Sequence, residues 1–340
     1  MSKVIIIAEA GVNHNGDLNR AKNLIRAAAA AGADFVKFQT FKADKIVSKQ
    51  AKKAAYQSNN MGDGDDSQYN MLKKLEIPDE WYPELLDLCK EEKIRFLSTG
   101  FDNESIDFLD KIPIEIFKVP SGELTNKPYL QHIATKNKPI ILSTGMASID
   151  EIMQAISVIE EMGVSRRDLT VLHCNTEYPT PMKDVNLKAM LHIQKETGSD
   201  IGYSDHTLGI EVSIAAVALG AKVIEKHFTM SRDLPGPDHK ASLEPGELVE
   251  MVKSIRNIEE AISGDGIKSP SQSELPNKIV ARKSIHSLKS MGKGHIISET
   301  DLIMRRPGDG ISPMDIDQVV GKKLVSNIEA DVKLSLEDLE

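Results

Sequence analysis

Cysteine is almost absent. Cys89 and Cys174 are the only two in the chain, and neither belongs to a CxxC pair. That excludes a disulfide framework and a zinc ribbon and fits a reducing cytosol. Long hydrophobic runs are lacking as well. The start, Met1-Ser2-Lys3, leads into Val4-Ile5-Ile6-Ile7-Ala8, which Glu9 ends too early for a signal peptide or membrane span. The most apolar later stretch, Val212 to Ile224, is also too short and is interrupted by Gly220 and Lys222. A soluble, cytoplasmic protein is expected. Basic excess is missing too: 42 Lys and Arg face 51 Asp and Glu, a formal charge of −9. Nucleic acid and membrane surfaces want a basic face, so neither partner is expected. An anionic small molecule is compatible, because a few buried lysines reverse the local field.

What is present is an ordinary globular composition, 40% hydrophobic and 27% charged, spread over 340 residues. Short β-branched runs alternate with helical patterns, the signature of a parallel α/β fold. Strands are predicted at Val4–Ala8, Phe35–Gln39, Arg95–Ser98, Ile116–Val119, Ile140–Ser143, Thr170–His173, Ile201–Tyr203 and Lys222–Lys226. The clearest helices between them are Asn19–Ala31, Pro83–Glu92, Ile149–Met162, Leu187–Thr197 and Ile210–Leu219. Eight such units in roughly 265 residues suit a (β/α)8 TIM barrel. A doubly wound sheet would show a Gly-rich dinucleotide turn after its first strand, which Glu9-Ala10-Gly11-Val12-Asn13-His14-Asn15-Gly16 is not.

Two segments break the rhythm. The stretch from Phe41 to Pro78, with the acidic tip Gly62-Asp63-Gly64-Asp65-Asp66, reads as a solvated loop, a substrate lid being the alternative. The stretch from Ser263 to Asn277 has linker composition. The expected organisation is a catalytic barrel over 1–263, a linker over 264–278, and a small β-rich module over 279–340. Short strands are expected there at Ala281–Leu288, Gly294–Ile297 and Leu302–Met304.

Barrel chemistry sits at the carboxyl ends of the strands. Those ends carry Glu9, Lys37, Gln39, Ser98, Thr99, Lys118, Ser121, Glu123, Ser143, Thr144, Asn175, Thr176 and Tyr178. After the last two strands come Ser204-Asp205-His206 and Glu225-Lys226-His227. Ionised groups buried without partners cost several kcal/mol, so such a ring is not core filling. His206 and His227 end neighbouring strands and could share one divalent ion, with Glu9 or Asp238 adding oxygen or acting behind them. The thiol-free N/O set admits manganese, magnesium, cobalt or zinc. Lys37 and Lys118 interrupt apolar runs, and with Ser121, Ser204 and Thr99 they would suit a phosphate and a carboxylate on one small molecule.

With those motifs the chain resembles the sialic acid synthase family. The resemblance is carried by Ile7 to Gly16, Val36-Lys37-Phe38-Gln39-Thr40, Lys118-Val119-Pro120-Ser121-Gly122-Glu123, Ser143-Thr144-Gly145-Met146, Gly202-Tyr203-Ser204-Asp205-His206-Thr207, Ile224-Glu225-Lys226-His227-Phe228 and Gly236-Pro237-Asp238-His239. Arg306-Pro307-Gly308-Asp309-Gly310-Ile311 is similar to that family's antifreeze-like (SAF) domain. The resemblance implies phosphoenolpyruvate, an open-chain N-acyl mannosamine-type sugar, and a divalent metal: manganese first, with magnesium or cobalt able to replace it. It implies that Lys37, Thr99, Lys118, Ser121, Asn175 and Ser204 hold phosphoenolpyruvate, and that Gln39, Phe101, Tyr178, Asp238 and Arg306 meet the sugar. His206 and His227 hold the metal, and Glu123, Glu9 and Lys118 act in catalysis. Arg306 reaches the neighbouring subunit's site, which implies a domain-swapped homodimer.

Two departures from the family pattern bear on specificity. The sixth-strand motif His173-Cys174-Asn175-Thr176-Glu177-Tyr178-Pro179-Thr180-Pro181 is similar to that of legionaminic acid synthases. It implies 2,4-diacetamido-2,4,6-trideoxymannose as substrate, the alternative being N-acetylmannosamine and N-acetylneuraminate synthesis. Gly100 stands where many relatives have Pro and is expected to change loop stiffness. An amidohydrolase would need an H-x-H pair, and none occurs. A synthase using a phosphorylated aldose is disfavoured by Ser204-Asp205-His206-Thr207 and by the C-terminal module. An ice-binding role is disfavoured by Arg282, Lys283, Lys289, Lys293, Arg305 and Arg306.

Overall fold

The computed structural model describes residues 3–62 and 64–340. They fall into two compact units that meet in sequence between Ser263 and Gly264.

In the first unit eight parallel strands close into a barrel: β1 (Ile5–Gly11), β2 (Phe35–Thr40), β3 (Arg95–Gly100), β4 (Phe117–Val119), β5 (Ile140–Ser143), β6 (Leu169–Cys174), β7 (Asp200–Asp205) and β8 (Val223–His227). Closure is the pairing of β1 with β8, from Ile5 opposite Val223 to Glu9 opposite His227. The TIM barrel with a C-terminal module expected from the sequence is the observed architecture. Several strands run one or two residues further than their apolar cores suggest, because the polar residues that end them still pair.

Helices form where an apolar stripe meets a cap. Asp17 accepts from Arg20 N at 2.9 Å and starts Leu18–Ala30, which buries Ala21, Leu24, Ile25 and Ala28 against the barrel. Ser148 and Glu151 form a reciprocal capping box at the start of Ile149–Glu161. Asn103–Lys111, Lys127–Ala134 and Pro245–Ala261 are also helical and were not among the clear sequence signals.

The inside of the barrel is closed below the site by Ile7, Phe35, Leu97, Ile141, Leu172 and Val223, all buried. Gly202 is the position on β7 in that layer. A Cβ there would lie 2.4 Å from Val223 O and 2.5 Å from Leu172 Cδ2, so only glycine fits.

The stretch from Phe41 to Pro78 corrects the solvated-loop reading. It contains helices at Ala43–Ile46, Ala55–Met61 and Gln68–Leu75, and it buries Phe41, Met71 and Leu75 against Val12 in a small satellite core. At the acidic tip Asp63 lies outside the described residues, while Asp65 accepts from Ser67 N at 2.8 Å and Asn70 Nδ2 at 3.0 Å.

The second unit has its own core of Ile285, Met291, Ile297, Leu302, Val319, Leu324, Ile328 and Leu334. Its strands β9 (Ser284–Ser287) and β10 (Leu302–Arg305) pair antiparallel. Gly294–Ile297, expected as a strand, makes only a bridge from Ile296 to Lys323. The stretch assigned to the linker runs into a helix at Leu275–Ala281.

Asp301 organises a turn of this unit. Lys289 Nζ at 2.7 Å, His295 Nε2 at 2.9 Å and Ser298 N at 2.9 Å surround its carboxylate, and they hold it far below the usual carboxylate range.

Two outcomes follow from this packing. Gly202→Ala should cost about 2–3 kcal/mol of stability, read as a lower urea midpoint from the fluorescence of Trp81, the single tryptophan. For Asp301 the depressed folded-state pKa means that its stabilisation is present above the ordinary carboxylate value and lost as pH falls toward the folded-state value. Asp301→Asn should therefore weaken the unit by about 2 kcal/mol at neutral pH and by progressively less as pH falls below about 4, measured by hydrogen exchange at Ile285 and Leu302.

Candidate active site

Side chains on a strand face inward at every second residue. Two positions beyond the apolar layer the inward residues become Glu9, Lys37, Thr99, Lys118, Ser143, Cys174, Ser204 and Glu225, and all eight line one cavity of about 520 Å³. Two positions further on, Gln39, Phe101, Pro120, Thr176, His206 and His227 line its upper part, joined by Ser121 and Tyr178 from the loops. An apolar floor under a charged layer is what makes this end of the barrel a site.

Lys37 Nζ lies 2.9 Å from Glu9 Oε2, 3.5 Å from Glu225 Oε2 and 3.0 Å from Thr99 Oγ1. Lys118 Nζ donates to Ser143 Oγ at 2.7 Å and meets Glu225 Oε1 only at 3.8 Å. Ser204 Oγ donates to Glu225 Oε1 at 3.0 Å, and Gln39 Nε2 to Glu9 Oε1 at 3.2 Å. Burial drives Glu9 up to about 7, with the charge of Glu225 adding to it and Lys37 opposing it. Burial also works to raise Glu225, but Lys118, Lys37 and His227 outweigh it and hold that carboxylate at about 2. For Lys37 the two glutamates overcome burial and raise its pKa, whereas burial prevails at Lys118 and lowers it. The cluster thus sets one firm anion and one carboxyl poised near neutrality against two lysines that the glutamates and burial pull in opposite directions.

The histidines sit above it. His206 Nδ1 is hydrogen-bonded to the carbonyl of Asn175, so Nδ1 carries the proton and Nε2 keeps its lone pair. His227 Nδ1 is buried without a hydrogen-bond partner and lies 4.0 Å from Asp238 Oδ2. Burial lowers His206 to about 4 and carries His227 well below the ordinary imidazole value, helped there by His206. Both rings are therefore neutral at physiological pH. Their centroids are 5.5 Å apart, and Tyr178 covers His206 at 4.0 Å. Among the described residues no group of three or more His, Cys, Asp or Glu is placed to hold a metal ion.

A second cavity of about 310 Å³ adjoins the first, sharing Gln39, Tyr56, Gln57, Gln68, Phe101, Tyr178 and His227 with it. Asp238, raised by burial to about 6, and Glu123 also line it.

Comparison with known proteins decides the family. Residues 24–268 match the NeuB family and residues 282–340 match the SAF domain. The chain is 53% identical over 331 residues to the N,N'-diacetyllegionaminic acid synthase of Campylobacter jejuni, covering 97% of this chain and 98% of the relative. It is 50% identical to the protein of the same name from Legionella pneumophila, covering 98% and 94%. The crystal structure of an N-acetylneuraminic acid (sialic acid) synthetase from Leptospira borgpetersenii superposes with a TM-score of 0.70 at 35% identity, over 81% of this chain and 90% of that one. The chain belongs to the NeuB family.

In this NeuB-family chain Glu9, Lys37, Gln39, Thr99, Phe101, Lys118, Ser121, Tyr178, Ser204, His206 and His227 converge on the larger cavity, and Glu123 and Asp238 on its neighbour. Asn175, expected to bind phosphoenolpyruvate, is a correction. It follows the last residue of β6, its Nδ2 donates to Asp184 O at 2.9 Å, and its side chain lines a separate cleft beside Asn186 and His192. Arg306 belongs to the C-terminal unit, where its Nε donates to Ala281 O at 2.9 Å. Asp205 and Lys226, read as part of the ring, point outward and pair with each other at 3.0 Å, fully buried. Glu225 and Ser143, read as part of the ring but given no binding or catalytic role, belong to the charged layer. Their spacing of two residues from His227 and Ile141 on the same strands is the signal that finds them. Tyr56, Gln57 and Gln68 come from the helical insertion and carried no such signal.

Glu225→Gln removes one of the charges that raise Glu9. The Glu9 carboxyl should therefore move down from about 7. A carboxyl ¹³C NMR titration reads the shift.

Proposed function

We propose that this chain condenses phosphoenolpyruvate with 2,4-diacetamido-2,4,6-trideoxymannose and water, giving N,N'-diacetyllegionaminic acid and phosphate. The observation that carries the reading is the pair of buried lysines, Lys37 and Lys118, set among hydroxyls in a cavity closed by an apolar floor. It is supported by the legionaminic acid synthases that are 53% and 50% identical along nearly the whole chain.

Lys37 and Lys118, with Thr99, Ser121 and Ser204, take the phosphate and carboxylate of phosphoenolpyruvate and fix its methylene toward the sugar. The sugar lies with its aldehyde near His206 and His227 and extends past Tyr178, Gln39 and Phe101 toward Asp238. The methylene carbon attacks the aldehyde carbon, forming the new C–C bond, and the aldehyde oxygen takes a proton to become a hydroxyl. Water adds at the former enol carbon and gives its proton to Glu123. The C–O bond to phosphate then breaks as the remaining hydroxyl proton passes to the departing phosphate, leaving a ketone. Glu9, poised near neutrality beside Lys37, is the group that can hold or release a proton on the floor of the cavity.

Neutral imidazoles, one with its tautomer fixed and the other with an orphaned buried nitrogen, fit a divalent ion. His206 and His227 would hold it, with manganese preferred and magnesium or cobalt as substitutes, while water or substrate oxygen completes its coordination. When bound, that ion supplies Lewis-acid polarisation of the sugar carbonyl. The same reading has the enzyme working as a domain-swapped homodimer in the cytoplasm, with Arg306 serving the neighbouring subunit's sugar. The free thiols of Cys89 and Cys174 are compatible with that compartment.

Phosphate release with manganese and phosphoenolpyruvate should show kcat/KM at least roughly tenfold higher for the diacetamido sugar than for N-acetylmannosamine. The reverse preference would make the activity N-acetylneuraminate synthesis, and release with neither sugar would remove the reading. Lys118→Met should lower kcat/KM by roughly 100-fold or more, as expected for loss of a charge-assisted phosphate contact, assayed in the same way.

A further inference from the structure

The insertion between β2 and β3 has two sides of different chemistry. Its first long helix, Ala55–Met61, brings Tyr56 against Tyr178, ring centroids 5.1 Å apart and nearly parallel. Gln57 is fixed there by accepting from Ala54 N at 2.9 Å through Oε1. Gln68 opens the second, Gln68–Leu75, whose Met71, Leu72 and Leu75 face the smaller cavity together with Val12, Ile46 and Val47. The insertion is tied across the mouth by Asn60 Nδ2 donating to Pro237 O at 2.6 Å and Lys240 Nζ to Asn59 O at 3.2 Å. The smaller cavity is therefore lined by His227, Asp238 and Tyr178, by the side-chain amides of Gln39, Gln57 and Gln68, and by a wall of apolar side chains from the insertion.

This inference rests on the substrate reading above and deepens it. The sugar's aldehyde end is held near His227, so its far end, carbons four to six, reaches the insertion. We propose that the insertion is the specificity element. Gln57 and Gln68 receive an acylamino group, and Leu72 with Val47 seats a methyl group where a mannosamine would present a hydroxymethyl. A hydroxyl against that wall would lose its water without gaining a partner, whereas a methyl group is desolvated at a gain. An amide opposite an acetamido group can both donate and accept, which a carboxylate or an ammonium group cannot. Gln57 and Gln68 thus suit an acylated amine better than a free one. Gln39, the strand amide that also reaches this cavity, is already engaged, donating to Glu9 Oε1 at 3.2 Å.

The test compares three sugars with the full-length, manganese-loaded protein: the diacetamido trideoxy sugar, 2-acetamido-2,6-dideoxymannose and N-acetylmannosamine. Leu72→Gln should narrow the preference for the 6-deoxy over the 6-hydroxy monoacetamido sugar by roughly tenfold, with Leu72→Met keeping it. The double variant Gln57→Leu, Gln68→Leu should narrow the preference for the diacetamido over the monoacetamido 6-deoxy sugar by a similar factor. In both variants the KM for phosphoenolpyruvate should stay within about twofold, since a collapsed site would move both substrates together. If the wild type prefers the diacetamido sugar and these ratios do not change, this inference is overturned and the substrate reading stands. If the wild type prefers N-acetylmannosamine, both fall.

Discussion

The mutual neutralisation of Glu9, Lys37, Lys118 and Glu225 above a dry floor is the constraint on which the site depends. None of these groups can be left alone at that depth, because an unpaired buried charge costs several kcal/mol. Lys37 is fully engaged, touching both glutamates and Thr99. Lys118 is less so, since its nearest carboxylate oxygen is 3.8 Å away and its close partner is a neutral serine. An incoming polyanion therefore finds one ammonium group already committed and one with attraction to spare. The carboxyl that burial has raised to about 7 can change its charge when that anion arrives.

The floor makes the arrangement possible. Its side chains leave no room even for a Cβ on β7 at Gly202, so the charged layer cannot sink and water cannot enter from below. Outside the barrel, Asp205 and Lys226 form a second ion pair, with Lys226 also donating to Thr207 O at 2.6 Å and Asp205 accepting from Ser213. That pair lies one residue from Ser204, His206, Glu225 and His227 along the same strands. It fixes the strand ends from behind while their alternate residues face the cavity.

The same parity explains what could be read in the sequence. The alternation of short apolar runs with helical stretches is a long-range, repeated signal, and it gave the barrel and its order. Which polar residues gather at the strand ends was also legible, because they interrupt those runs. Taking consecutive residues as one ring was the error, since Ser204-Asp205-His206 and Glu225-Lys226-His227 each split between two faces. Asn175 follows the same parity. It stands between Cys174 and Thr176, which both line the cavity, so its amide turns away from it, to Asp184 O. Lys37, Thr99 and Lys118 lie within strands and obey the rule.

The helical insertion was illegible for a different physical reason. Its three helices are only four, seven and eight residues long, too short for a periodic pattern to outweigh the Gly and Asp residues between them. The last of them packs Met71 and Leu75 on Val12 and Phe41, a tertiary contact with no local signature. This division has a functional consequence. The groups proposed to meet phosphoenolpyruvate stand on strands locked by the barrel's closure, where small errors of position would cost rate. Those proposed to reach the far end of the sugar stand on a segment attached by a small core and a few hydrogen bonds. Such a segment can change in sequence without disturbing the charge balance beneath it. A barrel of this kind can thus keep one chemistry while the sugar it accepts is set by a separate, more easily altered piece of the chain.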